Sequence, residues 1–187
     1  RAPQRVLINV DLYLDPASLP TSDRIADAVD YDGVRGDIVA LVEQSEAARA
    51  RLEKLLQDDT TAYNGVIEAY KLPKETEEQQ AARKAAVQAG LIVAADVPLE
   101  ICRVAVEVCR LSKIAAEKGN PAAVTDAGIG AILGEAAVVG AALNVKINLS
   151  SIEDVGYTSA AAAEIDRIQQ EAAALREEVL AITVSKL

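Results

Sequence analysis

Apolar residues recur at steps of three and four along most of this chain, and the polar residues between them mark where each run begins and ends. From Gly33 onward Ile38, Leu41, Val42, Ser45, Ala48, Leu52, Leu55, Leu56, Asp59, Tyr63, Val66 and Tyr70 form one stripe, the period of an α-helix. The stripe predicts a helix of about ten turns. It stops at Lys71-Leu72-Pro73-Lys74, because proline disfavours the helical conformation in the residue before it. Thr76-Glu77-Glu78-Gln79 has the form of a capping box and opens a second helix that runs to Lys118, where Gly119 is expected to supply a left-handed residue. Pro98 cannot donate to the carbonyl four residues back, so Val97-Pro98 predicts a sharp kink or a break. Asn120-Pro121 reads as an N-cap with proline in the first turn of a third helix. After a polar connection over Ser150 to Thr158, Ile165, Ile168, Ala172, Leu175, Val179 and Ile182 form a last stripe. Val6 to Leu14 carries partial alternation instead and reads as a strand or extended arm, ended by Pro16 and Pro20. The sum is an all-α antiparallel bundle of long helices over residues 31–187, preceded by a short extended arm over residues 1–30.

The third helix is unusual in having two apolar faces. Asp126, Gly130, Gly134, Ala137, Ala141, Asn144 and Asn148 fall on one, and Ile129, Ile132, Leu133, Ala136, Val139, Leu143 and Ile147 lean toward another. The large aliphatic face is expected in the core. The Gly/Ala face, with polar groups at both ends, is expected to line a cleft that a flat ligand or another backbone can approach closely.

Composition sharpens this picture. Alanine dominates and Phe, Trp, Met and His are absent, so the core must form by close approach of small aliphatic side chains, which favours helix on helix. A formal net charge of −10 without any Lys/Arg run argues against nucleic acid as a partner. Ala127 to Val145 is apolar, but it contains Glu135 and is rich in Ala and Gly, whose drive into lipid is weak, so no membrane partner is expected. Cys102 and Cys109 stand two turns apart, about 10 Å along a helix, too far for a disulfide, and read as reduced thiols of a cytoplasmic protein. The chain opens on Arg1 without a signal-like segment, so residue 1 is not expected to be the start of the gene product.

The absence of histidine removes Ser–His–Asp and Cys–His machinery and His-based metal sites. Neither GxxxxGK[ST] nor GxGxxG occurs. Acid–base chemistry must then rest on carboxylates, lysine, tyrosine or thiol. Asp59 occupies a place in the first stripe where Leu or Ala is expected, and a carboxylate there needs a partner. Asp126 sits one turn into a helix, where the terminal amides favour negative charge. Asn144, Lys146 and Asn148 lie at the other end of that helix. Asp126 and Asn144 are eighteen residues apart, about 27 Å, so they share a site only through an elongated ligand or a second subunit.

Taken in order, Asp59-x-x-Ala62-Tyr63, Lys71-Leu72-Pro73-Lys74, Arg83, Asp96-Val97-Pro98-Leu99, Lys118-Gly119-Asn120, Thr125-Asp126-Ala127-Gly128 and Ala142-Leu143-Asn144-Val145-Lys146-Ile147-Asn148 resemble the cyclodeaminase/cyclohydrolase family. This is the domain at the C-terminal end of formiminotransferase-cyclodeaminase, found also as free-standing bacterial methenyltetrahydrofolate cyclohydrolases. The resemblance covers residues 31–187 and implies a homodimeric all-α bundle acting on a folate substrate without metal or cofactor. The implied reaction is hydrolysis of the 5,10-methenyl bridge of tetrahydrofolate to the 10-formyl compound, or the related loss of ammonia from 5-formiminotetrahydrofolate. On the same basis Asp126 and Asp59 would be the base or cation-stabilising carboxylates, and Asn120, Thr125 and Asn144 would hold the pterin. Lys146 or Lys74 would meet the folate tail, with Asn148 and Tyr63 also on the substrate side. Members of the family usually carry a Pro-Thr-Pro-Gly-Gly-Gly-Ser type loop ahead of the first matched helix; here Leu19-Pro20-Thr21-Ser22 stands in that region. The alternative reading is a bundle that keeps the fold for a structural or assembly role.

Overall fold

The computed structural model describes residues 31–187, and the arm expected over Val6 to Leu14 lies outside them. Four long helices account for the described chain: α1 (Tyr31–Lys71), α2 (Glu77–Lys118), α3 (Val124–Leu149) and α4 (Val155–Ser185), with a 3₁₀ turn over Pro121–Ala123 leading into α3. No strand occurs among the described residues.

The helix ends follow from local chemistry. At the start of α2 the Thr76 hydroxyl accepts from the Gln79 amide at 3.2 Å, and the Gln79 side-chain oxygen accepts from the Thr76 amide at 3.3 Å, completing the capping box. Asp154 caps α4 by accepting from the Tyr157 amide at 2.9 Å. Two expectations need correction. Pro98 neither breaks nor ends α2, which runs as one helix through it with the ring fully buried; packing of the ring into the core offsets the one bond it cannot make. Gly119 is extended at φ −77°, ψ 178°, rather than left-handed, and its amide donates to the Ala115 carbonyl at 2.9 Å. Glycine is required there for space, because a Cβ would run into the Ala115 carbonyl oxygen.

The core of the unit Leu41–Leu187 is built by α2, α3 and α4, with Ala62, Val66 and Ala69 of α1 packed into the same cluster. Its most enclosed side chains are Ile165, Ile168, Val138, Val145, Val179, Pro98, Cys102 and Cys109. α3 runs antiparallel to both neighbours: Gly130 meets Ser112 and Asn148 meets Ala94 on α2, while Gly128 meets Thr183 and Glu135 meets Arg176 on α4. α2 and α4 therefore run parallel, and a heptad-spaced ladder of Arg103–Glu164 and Arg110–Glu171 at 2.8 Å, continued by Lys113–Glu178, fixes their register. The paired carboxylate and guanidinium stabilise each other's charged forms: the Arg103 hydrogen bonds hold Glu164 below the usual carboxylate range.

α3 reverses the expected orientation. Val124, Gly128, Ala131, Gly134, Val138, Ala141, Ala142 and Val145 are the buried residues of this helix, whereas Ile129, Ile132, Leu133, Val139, Leu143 and Ile147 are exposed, Ile147 to 70%. The small residues allow α2 and α3 to approach closely: a Cβ on Gly134 would lie 2.6 Å from Cys109 Sγ and 3.2 Å from the Ala105 carbonyl oxygen. The two thiols sit in the same seam, directed at the Val138 and Ala131 carbonyls, and burial pushes each up to about 11. Pro121–Leu149 is long and apolar enough to cross a membrane by composition, but its small-residue face is packed in the core and Glu135 pairs with Arg176 at 2.8 Å.

α1 lies along α2, with Val66 against Gly90 and Arg51 paired to Glu100. Its stripe divides: Ala48, Leu55 and Val66 are buried, together with Ala62 and Ala69 from outside the stripe, while Leu56, Asp59, Tyr63 and Tyr70 are exposed. Asp59 thus faces away from the core, and the carboxylate needs no buried partner.

Candidate functional site

A cleft of about 560 Å³ opens where α1, the second half of α2 and the start of α3 come together. Val108, Leu111, Ser112 and Ala115 on α2 form its floor; Leu41, Ser45, Arg49 and Leu52 on α1 form one wall; Gly119, Asn120, Ala123, Asp126 and Ala127 form the other. The walls are mostly aliphatic and the polar groups are few, the composition of a site that holds a flat organic ligand and orients it at a small number of points.

Each polar group has a local cause. Asn120 precedes Pro121, so its side-chain oxygen is free to accept from the Ala122 amide at 3.0 Å, which holds the amide at the rim. Asp126 falls in the first turn of α3, where the helix dipole favours its charge. Among the described residues its carboxylate makes no hydrogen bond or ion pair, so both oxygens can serve a ligand or a water. Arg49 on the opposite wall is held between Glu46 and Glu53 at 2.9 and 2.6 Å. These pairs, the Glu46 hydrogen bond foremost, raise its guanidinium further above its ordinary range. On the floor Ser112 is only 8% exposed.

Of the residues singled out from the sequence, the cleft brings together Asn120 and Asp126, with the exposed Thr125 beside them in the chain. The remaining residues lie elsewhere. Asn148 donates to the Ala94 carbonyl and to the Asn144 carbonyl, both at 2.9 Å, and so bolts the end of α3 to α2. Lys146 turns to α4, donating to Gln169 at 3.2 Å with Asp166 at 3.9 Å. Asn144 is exposed at this end. Tyr63, exposed to 64%, and Asp59 lie on α1 between Arg51 and Val66, whose partners on α2 are Glu100 and Gly90. They therefore stand at the height of Ala94 and Asn148, far from Asp126. Lys74 lies in the α1–α2 connection, where its carbonyl accepts from Gln80. Two polar groups of the cleft, Arg49 and Ser112, carry no motif in the sequence; the sign that could have found Ser112 is a hydroxyl at helical steps of four and three from the apolar Val108 and Ala115.

Comparison with known proteins places these features in a family. The formiminotransferase-cyclodeaminase family profile matches residues 26–167. The methenyltetrahydrofolate cyclohydrolase of Methylorubrum extorquens is 39% identical over 157 residues, covering 84% of this chain and 76% of that protein. The formimidoyltransferase-cyclodeaminase of Gallus gallus is 35% identical over 144 residues, covering 75% of this chain and 26% of that longer protein. The crystal structure of formiminotetrahydrofolate cyclodeaminase from Thermotoga maritima superposes with a TM-score of 0.72 at 26% identity, over 84% of this chain and 75% of that one. Matched over most of its length, with the all-α bundle in common, the chain belongs to the formiminotransferase-cyclodeaminase family.

Proposed function

We propose that this chain is a one-carbon folate enzyme that hydrolyses the 5,10-methenyl bridge of tetrahydrofolate to 10-formyltetrahydrofolate, and that the cleft beside Asp126 is where it does so. The observation that carries this reading is the 39% identity to a methenyltetrahydrofolate cyclohydrolase over most of both chains; the cleft supplies a mechanism. The methenyl carbon is part of a cationic amidinium, already electrophilic, so the reaction needs water, a base and a stabilised tetrahedral intermediate. Asp126, which has no protein partner among the described residues, attracts the cation and takes a proton as water adds to the carbon. The C–N5 bond then breaks, N5 takes up a proton, and the formyl group stays on N10. The α3 amide dipole and Asn120 supply fixed polar partners at the rim. Aliphatic walls limit competing water.

Loss of ammonia from 5-formiminotetrahydrofolate is the second reading, favoured by the Thermotoga maritima neighbour and by the Gallus gallus relative. The same carboxylate would serve it. Supplying purified protein with each folate in turn separates the two: faster conversion of the methenyl compound than of the formimino compound supports the first reading, and the reverse order supports the second.

The family resemblance and the exposed aliphatic face of α3 together support a homodimer, and the free thiols of Cys102 and Cys109 agree with the reducing cytoplasm. Leu133, Leu143 and Ile147, exposed to 63, 65 and 70%, form with Ile129 and Ala136 a seam at helical spacing that a second copy can cover. Asp59, Tyr63 and Asn144 stand toward the far end of α3, and if they serve the substrate they do so as part of a site distinct in position from the Asp126 cleft.

A further inference from the structure

Among the described residues Ser112 and Thr183 are the buried hydroxyls, and they differ in their bonding. Ser45, Thr60, Thr61 and Thr183 each donate to the carbonyl four residues before them, at 2.8 to 3.3 Å, the usual fate of a hydroxyl inside a helix. Ser112 makes no hydrogen bond among the described residues. Every fully enclosed side-chain nitrogen or oxygen among those residues has a partner, so the Ser112 oxygen is not fully enclosed, and Ser112 is one of the residues that line the cleft. A hydroxyl that is more than nine-tenths buried and unpartnered loses its bonds to bulk water without replacement. That loss is recovered when a ligand supplies the partner.

Gly130 on α3 faces Ser112, and a Cβ there would lie 2.7 Å from Ser112 Oγ. Glycine at this position leaves the hydroxyl the room that a methyl group would take. Asp126, one turn before Gly130 on the same helix, lines the same cleft.

We infer that Ser112 is a substrate-binding residue, its hydroxyl hydrogen-bonding a donor or acceptor edge of the heterocycle while Asp126 faces the cationic carbon. The assignment rests on the folate reading above. A lone hydroxyl at the bottom of an aliphatic slot sets how the ring system is seated and leaves the chemical step to the carboxylate. Its loss therefore weakens binding more than it slows turnover.

The test measures KM and kcat for 5,10-methenyltetrahydrofolate with wild type, Ser112→Ala and Gly130→Ala, beside urea unfolding of each. Ser112→Ala is expected to raise KM about tenfold, the effect of one hydrogen bond, with kcat within twofold and no loss of stability, because the hydroxyl bonds nothing in the fold. Gly130→Ala keeps the serine but crowds its oxygen, and is expected to raise KM similarly while remaining folded. An active wild type whose KM is unchanged by Ser112→Ala overturns the assignment, as does a Ser112→Ala protein that loses stability in proportion to activity. A wild type that does not accelerate hydrolysis overturns the cyclohydrolase reading instead. Ser112 is then decided by calorimetric binding of tetrahydrofolate: about tenfold weaker binding to Ser112→Ala upholds it, and equal binding, or none to wild type, overturns it.

Discussion

Asp126 and Gly134 are one-residue arguments of opposite kind, one about what a position leaves free and the other about what it excludes. Asp126→Asn removes the proposed base while keeping size and polarity, so kcat is expected to fall by about 10² or more with the urea midpoint unchanged. Gly134→Ala places a methyl against Cys109 Sγ and the Ala105 carbonyl, and is expected to destabilise by about 1–3 kcal/mol, read by chemical denaturation. The two thiols add a pH dependence. Burial raises Cys102 and Cys109 from the ordinary thiol range to about 11, so the folded state holds protons that the unfolded chain releases first. Stability from this source is complete below about pH 9 and falls as pH rises toward 11. Urea midpoints measured across that window are expected to fall, and a Cys102→Ala, Cys109→Ala double variant to fall less steeply. The sequence made Asn120 and Asp126 legible because caps and first-turn acids follow local rules that hold whatever packs around them. Ser112 was illegible: serine in a helix ordinarily satisfies itself, and only the fold reveals that this one does not.

At the scale of elements, most helix ends and the buried stripe of α4 were readable, whereas the faces of α1 and α3 were not. The Thr76 box formed as the four-residue pattern dictates, and Thr76→Ala is expected to cost about 1 kcal/mol, measured in the same denaturation assay. α3 misled because it is apolar on two faces. Periodicity identifies a face but gives no sign of which face the core takes, and close packing against α2 selected the small one, where Gly134 and Ala131 meet the thiol seam. α1 misled in a related way, since a stripe of mixed width concealed a narrow buried seam beside an exposed one. The parallel pairing of α2 and α4 has its own test. Arg110 bonds Glu171 across the two helices, and a double-mutant cycle on Arg110→Ala and Glu171→Ala is expected to return a coupling of about 0.5–1 kcal/mol, modest because both partners are partly solvated.

For the whole molecule, the exposed aliphatic seam of α3 and the cleft at its start are the features proposed to take an external partner, one a second copy of the chain and the other a folate. Leu143→Glu is expected to shift sedimentation from dimer to monomer while helical content persists; a wild type that sediments as a monomer would remove the seam from the account. Folate hydrolysis beside Asp126 is tested by following the absorbance of 5,10-methenyltetrahydrofolate with wild type and Asp126→Asn at equal concentration. Loss of absorbance well above the spontaneous rate with wild type, and near that rate with the variant, is the result expected. Equal acceleration by both proteins would contradict it.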